Sequence, residues 1–313
     1  MGLLIMRSLA SRIVALAAAG ALVFWFGLPP AEAVVIDTLT GTGNTSAPPD
    51  DPGWANVGIR GIGTGVYLGA GWVLTASHVG GGEILLGSGT YAMLPNSGFQ
   101  LTNGGAAGKT AATDLYMYRL TTDPGLPAIS IGQAAPAVGS AVTLIGAGRD
   151  RGAYLTWSVN TTVTPFVWTE TSASPNAAGY QELASRSMRW GTNTVESVNW
   201  DAIDGLDVAG LRTDFTFSQF YSNEAQAAVG DSGGGVFRKN GSVWELAGIM
   251  LGVGTYSGQP AGTAVFGNIT AIADLSVYRS QIMQVVPEPG AITLAIGGLV
   301  VAAFFGRGRP RPW

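Results

Sequence analysis

Val229-Gly230-Asp231-Ser232-Gly233-Gly234-Gly235-Val236-Phe237 is the stretch on which the reading of this 313-residue chain turns. A serine flanked by glycines sits where the backbone can bend sharply and bring its own N–H groups close to a carbonyl oxygen. Ser232 is then a candidate nucleophile, and the N–H groups of Gly230 and Ser232 are candidate donors to a developing oxyanion. A Gly-rich hairpin turn uses the same residue types, so a nucleophile also needs a base elsewhere in the chain.

His78 is the one histidine of the chain. Imidazole is the side chain that titrates nearest neutral pH, which suits it to general-base work. It follows a strand-like run in Leu74-Thr75-Ala76-Ser77-His78-Val79. Asp114 opens the alternating run Asp114-Leu115-Tyr116-Met117-Tyr118-Arg119-Leu120. A carboxylate there can accept an imidazole N–H, hold the tautomer and favour imidazolium as it forms.

Working outward, the residues between positions 34 and 286 read as all-β. Glycine is abundant at 47 residues, only 12% of the chain is charged and 47% is hydrophobic, which suits many short strands joined by tight turns. Strand-like runs fall at 57–62, 65–68, 72–76, 115–120, 141–145, 155–159, 161–167, 215–220, 235–237, 244–250 and 264–269. One helix is expected near 272–285. Residues 34–53 read as a flexible lead-in, and the polar segment 172–199 has no clear period.

A net charge of −4 provides no basic face for nucleic acid. With no cysteine, disulfides and thiolate metal sites are excluded, and a chain of this length can bury a core without them. Asp201, Asp204 and Asp207 lie close in sequence, but their spacing does not match an EF-hand loop and reads as a solvated acidic turn. Gly61-Ile62-Gly63 lacks the strand–helix context of a nucleotide loop. No metal and no cofactor are expected.

Both ends read as targeting segments. Arg7 and Arg12, an apolar run over 13–28 and Ala31-Glu32-Ala33 read as a signal peptide covering 1–33. At the other end, Val286-Pro287-Glu288-Pro289-Gly290 precedes an apolar stretch at 291–305 and a cluster of Arg307, Arg309 and Arg311. Such a run is short for a ~30 Å hydrocarbon core and reads as a transient span with a cytoplasmic basic stop. The tail, 286–313, resembles the PEP-CTERM sorting signal of Gram-negative and related bacteria. That resemblance implies processing by an exosortase-like enzyme after a signal peptidase has acted, transient membrane contact through the tail, and a product at the cell surface, in the extracellular matrix or secreted.

The three internal motifs, in the order His, Asp, Ser, resemble those of trypsin-like (chymotrypsin-fold) peptidases over residues 54–285. The Thr-Ala-Ala-His motif of that family appears as Thr75-Ala76-Ser77-His78, its Asp-Ile-x-Leu as Asp114-Leu115-Tyr116-Met117, and Gly-Asp-Ser-Gly-Gly is intact at Gly230-Asp231-Ser232-Gly233-Gly234. Val138-Gly139-Ser140-Ala141-Val142-Thr143 before Gly146-Ala147-Gly148 is similar to the family's strand and Gly-x-Gly bend.

The resemblance implies two six-stranded β-barrels and a C-terminal helix, with a cleft between the barrels. It implies serine endopeptidase action on polypeptides by His78, Asp114 and Ser232, with Gly230 and Ser232 as the oxyanion hole. It also implies a substrate pocket around Gln226, Gly252, Gly254 and Ala264. No acidic residue is evident at that pocket, so an uncharged side chain is the expected substrate rather than Arg or Lys. Signal cleavage after Ala33 would free an amine at Val34 that could pair with Asp231; the alternative is that internal donors hold Asp231. A non-catalytic surface or matrix protein on the same scaffold is the competing function, and the complete set of three catalytic groups weighs against it.

Overall fold

The computed structural model describes residues 34–286 except 200, 201, 204, 205 and 218–220. The expected leader (1–33) and all of the tail after Val286 lie outside the described residues. After β1 (Val35–Thr38), the chain runs through β2 (Val57–Arg60), β3 (Gly63–Gly69), β4 (Trp72–Ala76), β5 (Ile84–Leu86), β6 (Gly89–Tyr91), β7 (Phe99–Thr102) and β8 (Ala112–Arg119). Strands β2 to β8 form one seven-stranded sheet in the order β6-β5-β2-β3-β4-β8-β7. Side chains alternate across it, as the two-residue period of a strand requires. Val73 and its cross-strand partner Tyr118 join Tyr67, Ile84 and Leu86 in one apolar cluster. Leu74 and its partner Met117 join Val66, Leu68 and Leu115 in another.

The second half contains β9 (Ala141–Gly146), β10 (Arg149–Asn160), β11 (Val167–Glu170), β12 (Ala177–Arg186), β13 (Arg189–Asn199), β14 (Ala202–Ile203), β15 (Leu206–Asp207) and β16 (Gly210–Asp214). It continues with β17 (Tyr221–Gln226), β18 (Gly235–Asn240), β19 (Val243–Gly254), β20 (Thr263–Val265), β21 (Ile269–Asp274) and the helix α1 (Leu275–Met283). Strands β13-β16-β21-β19-β18-β9 follow one another, and β9 pairs back to β13, so six strands close into a barrel. Closure leaves no unpaired edge within the ring. Val142, Leu144, Val195, Leu211, Val236, Met250 and Ile272 pack together as one buried cluster. The expected two-barrel, all-β class with a terminal helix is what the chain forms, with seven strands rather than six in the first sheet.

Between β9 and its neighbour β13, the chain inserts β10, β11 and β12. These build a separate four-stranded sheet with β20, in the order β11-β10-β12-β20. β12 of the insertion and β13 of the barrel occupy most of the segment at 172–199 that has no clear sequence period.

Four expectations need correction. Residues 161–166 lie outside the strands, and β11 begins only at Val167, because Pro165 has no N–H to give a ladder. Phe215 to Phe217 lie outside the strands, with the Phe215 N–H on the Asn268 carbonyl (2.9 Å), and the strand there is β17. The helix starts at Leu275 because residues 269–274 remain in the barrel as β21, and Asp274 then caps it, accepting from the Ser276 N–H at 3.0 Å. The lead-in is anchored at its start: Val34, Val35 and Ile36 are fully buried, and β1 pairs with β17. Their apolar side chains outweigh the polar composition that follows them.

Helix α1 ties the halves together. Its Tyr278 hydroxyl donates to Asn103 Oδ1 (2.8 Å) and accepts from the Ala209 N–H (2.8 Å). Gln281 bonds both the N–H and the C=O of Thr102 on β7.

Candidate active site

The β4–β8 pairing sets the first half of the site. Ala76 faces Leu115, and the Ser77 N–H then donates to the Asp114 carbonyl at 3.1 Å. The chain turns immediately, with the Val79 and Gly80 N–H groups both on the Ala76 carbonyl. This turn carries His78 over the buried Asp114. Asp114 Oδ1 accepts the His78 backbone N–H (2.9 Å), and Oδ2 lies 2.6 Å from His78 Nδ1. An ionised carboxylate only accepts, so Nδ1 carries the proton and Nε2 is left with its lone pair. The imidazole side chain is 43% exposed, while that of Asp114 is 2% exposed. The Asp114 hydrogen bond raises the His78 pKa above its ordinary 6.5, burial works against that, and the Asp114 charge adds to the rise.

Ser232 lies in the loop between β17 and β18 and shares one cavity of about 450 Å³ with His78. Its hydroxyl donates to the Leu251 carbonyl at 3.3 Å. The loop is locked by its backbone: Asp231 N–H to Ala228 O (3.0 Å), Gly234 N–H to Asp231 O (2.8 Å) and Gly233 N–H to Met250 O (2.8 Å). Gly233 has φ +88°, and a Cβ there would collide with Thr64 O and Thr75 Oγ1. Among the described residues, neither the Gly230 nor the Ser232 N–H has a protein acceptor, as donors reserved for a ligand oxygen would require.

Thr64 joins the two halves at this loop. Its N–H donates to Ser232 O (2.8 Å) and its hydroxyl to Gly230 O (2.9 Å). The same hydroxyl accepts from the Ala147 N–H (3.1 Å). Asp231 is fully buried and points away from the cavity into internal donors: Ala228 N–H on Oδ2 and Gly148 N–H on Oδ1, each 2.7 Å. Burial pushes its pKa up to about 7, against the pull of those two donors and of the nearby Arg186 charge. Internal donors are therefore in place on Asp231, the second of the two arrangements expected from sequence.

Of the four expected pocket residues, only Gly252 lines the cavity. Gln226, paired with Val35 of β1, is wholly buried, its amide O and N without partners. Gly254 abuts Ile269, and Ala264 packs with Val35 and Tyr180. The inserted sheet supplies what sequence reading missed. Glu182 on β12 lines the cavity, with its side chain 6% exposed and Oε2 without a hydrogen-bond partner, 3.8 Å from Arg149 Nη1. Burial raises its pKa, which the Arg149 charge offsets in part. An acidic group is thus present in the pocket after all. It arrives from a strand 50 positions before Ser232, where no local motif marks it.

A closed six-stranded barrel beside a β-sheet that holds His78, with Ser232 on the loop where they meet, defines the two-barrel serine-protease class. The family model described as Trypsin matches residues 41–275, and the chain belongs to that family. Mouse neuropsin, a serine protease expressed in the limbic system, is 16% identical, covering 76% of this chain and 96% of its own, with a TM-score of 0.43. A mutant of human heparin-binding protein is 15% identical, covering 80% of this chain and 98% of its own, with a TM-score of 0.47. No curated protein matches the chain.

Proposed function

We propose that the chain is an exported serine endopeptidase in which His78, Asp114 and Ser232 act together. The observation that carries this reading is the 2.6 Å contact from Asp114 to His78 Nδ1, with His78 and Ser232 facing the same cavity. Turning off the Leu251 carbonyl, the Ser232 hydroxyl attacks the substrate carbonyl carbon while His78 Nε2 takes its proton. The resulting oxyanion is held by the Gly230 and Ser232 N–H groups. Collapse breaks the C–N bond as the imidazolium returns its proton to the leaving amine, leaving an acyl ester on Ser232. Water, deprotonated by His78, releases the acid.

The targeting segments support an export reading. Cleavage by a signal peptidase and processing of the tail by an exosortase-like enzyme would leave the peptidase at the surface, in the matrix or free. No helix among the described residues is long and apolar enough to cross a membrane.

A fluorophosphonate probe tests the chemistry. The full chain labels at Ser232, while Ser232→Ala neither labels nor cleaves beyond the ~10³–10⁴-fold residual catalysis of binding and oxyanion donors. A folded chain that does not label is the non-catalytic scaffold protein instead.

A further inference from the structure

The nucleophile loop is clamped from outside by the two ends of the inserted sheet. At the entry, the Arg149 N–H donates to the Val229 carbonyl (2.8 Å). In a trans peptide the N–H points opposite to the C=O, so this bond turns the Gly230 N–H away from Arg149 and leaves it for the cavity. At the exit, Arg186, the last residue of β12, spreads its guanidinium over four carbonyls. Nε donates to Ala147 O (2.8 Å), Nη1 to Gly61 O (3.2 Å), and Nη2 to Gly63 O (3.2 Å) and Gly230 O (3.2 Å). Those carbonyls belong to the β2–β3 turn with the first residue of β3, to the residue after β9, and to the nucleophile loop. Gly230 has φ +101°, and a Cβ there would strike the same guanidinium.

We propose that Arg186 is a positioning residue for the oxyanion hole: it holds the Gly230 peptide in the donating orientation from within the chain. This rests on the peptidase reading above. Gly230 has its carbonyl tied to Arg186 and Thr64, and the next N–H, that of Asp231, tied to Ala228; both sides of the 230–231 peptide are therefore held. The preceding peptide is held by Arg149. With neither peptide free to rotate, the Gly230 N–H stays where the oxyanion forms and needs no reorganisation at the moment of reaction. A planar fork with five donors can serve four carbonyls in three segments; a lysine ammonium, with three donors at one point, cannot. Burial pulls the Arg186 pKa down, and the nearby Asp231 and Asp150 carboxyl groups offset part of that pull.

The test uses the full chain with Arg186→Met, Arg186→Lys and Arg186→Ala, assayed on a peptide ester with folded protein quantified by its melting transition. Loss of one positioned oxyanion donor corresponds to ~10²–10³-fold in kcat. Arg186→Met should fall by about that amount with KM little changed, and Arg186→Lys should lie between it and the parent. Millimolar guanidinium should restore turnover to Arg186→Ala, where urea should not. Parent-like kcat in Arg186→Met overturns the proposal. So does a loss that follows the melting temperature and is not rescued by guanidinium, which marks a purely structural role. If the parent chain itself fails to label with fluorophosphonate, it is the peptidase reading that falls.

Discussion

Replacing Asp114 by Asn is the sharpest perturbation of the site, because Asp114 makes two bonds that an amide cannot both reproduce in the right sense. Its Oδ1 takes the His78 N–H and its Oδ2 the Nδ1 proton. An Asn that keeps its oxygen on the backbone N–H aims its NH₂ at Nδ1. The ring then shifts its proton to Nε2, where the Ser232 proton has to go. The flipped amide preserves the active tautomer but sets NH₂ against the part-buried His78 N–H, at a cost of about 1–3 kcal/mol for an unsatisfied donor. The active tautomer is thus reduced roughly 5- to 150-fold, at ~1.4 kcal/mol per decade. Loss of the carboxylate charge that favours imidazolium brings the total toward ~10⁴-fold in kcat, about 5 kcal/mol of barrier. The assay is kcat and KM on a peptide ester, normalised to correctly folded protein. A variant within tenfold of the parent would refute the assignment of Asp114.

Because the Asp114 hydrogen bond raises the His78 pKa above 6.5 and His78 must be neutral to act as base, the acid limb of kcat/KM should have its midpoint above 6.5 and move downward in Asp114→Asn. Glu182→Gln should lower the ratio of cationic to uncharged side chains accepted in the pocket by about 10- to 100-fold, the worth of a charged hydrogen bond of ~1.5–3 kcal/mol; an unchanged ratio in a peptide library means Glu182 does not read the substrate. The pKa of Asp231 is raised from 3.8 to about 7, so its protonated form contributes stability that is fully present below 3.8 and is lost as pH rises through 7. Denaturant midpoints should show a part of the fall in stability between those limits that disappears in Asp231→Asn; an identical pH profile in the two proteins would contradict this.

Much of the fold and the centre of the site can be read from local sequence. Gly230 to Gly234 and the turn at His78 need particular residue types within a few positions, because a sharp backbone bend and a reactive side chain are short-range requirements. The strand runs at 72–76 and 141–145 are legible for the same reason: a two-residue period and β-branched side chains act locally. The segment at 172–199 is not legible, because β12 and β13 gain their stability from pairing with β10, β20, β9 and β16, of which β9 and β20 lie far away in the chain. The lining of the cavity is not legible for the same reason. Its acidic residue, Glu182, is brought in by strand pairing rather than by any spacing from Ser232. The sequence by itself determined which groups are candidates for the proposed chemistry, since nucleophile, base and carboxylate are properties of residue type and near neighbours. Only the tertiary structure decided that Asp231 faces internal donors, that Glu182 enters the pocket, and that Thr64 and Arg186 hold the nucleophile loop, because each depends on hydrogen bonds across long loops whose closure no local pattern encodes.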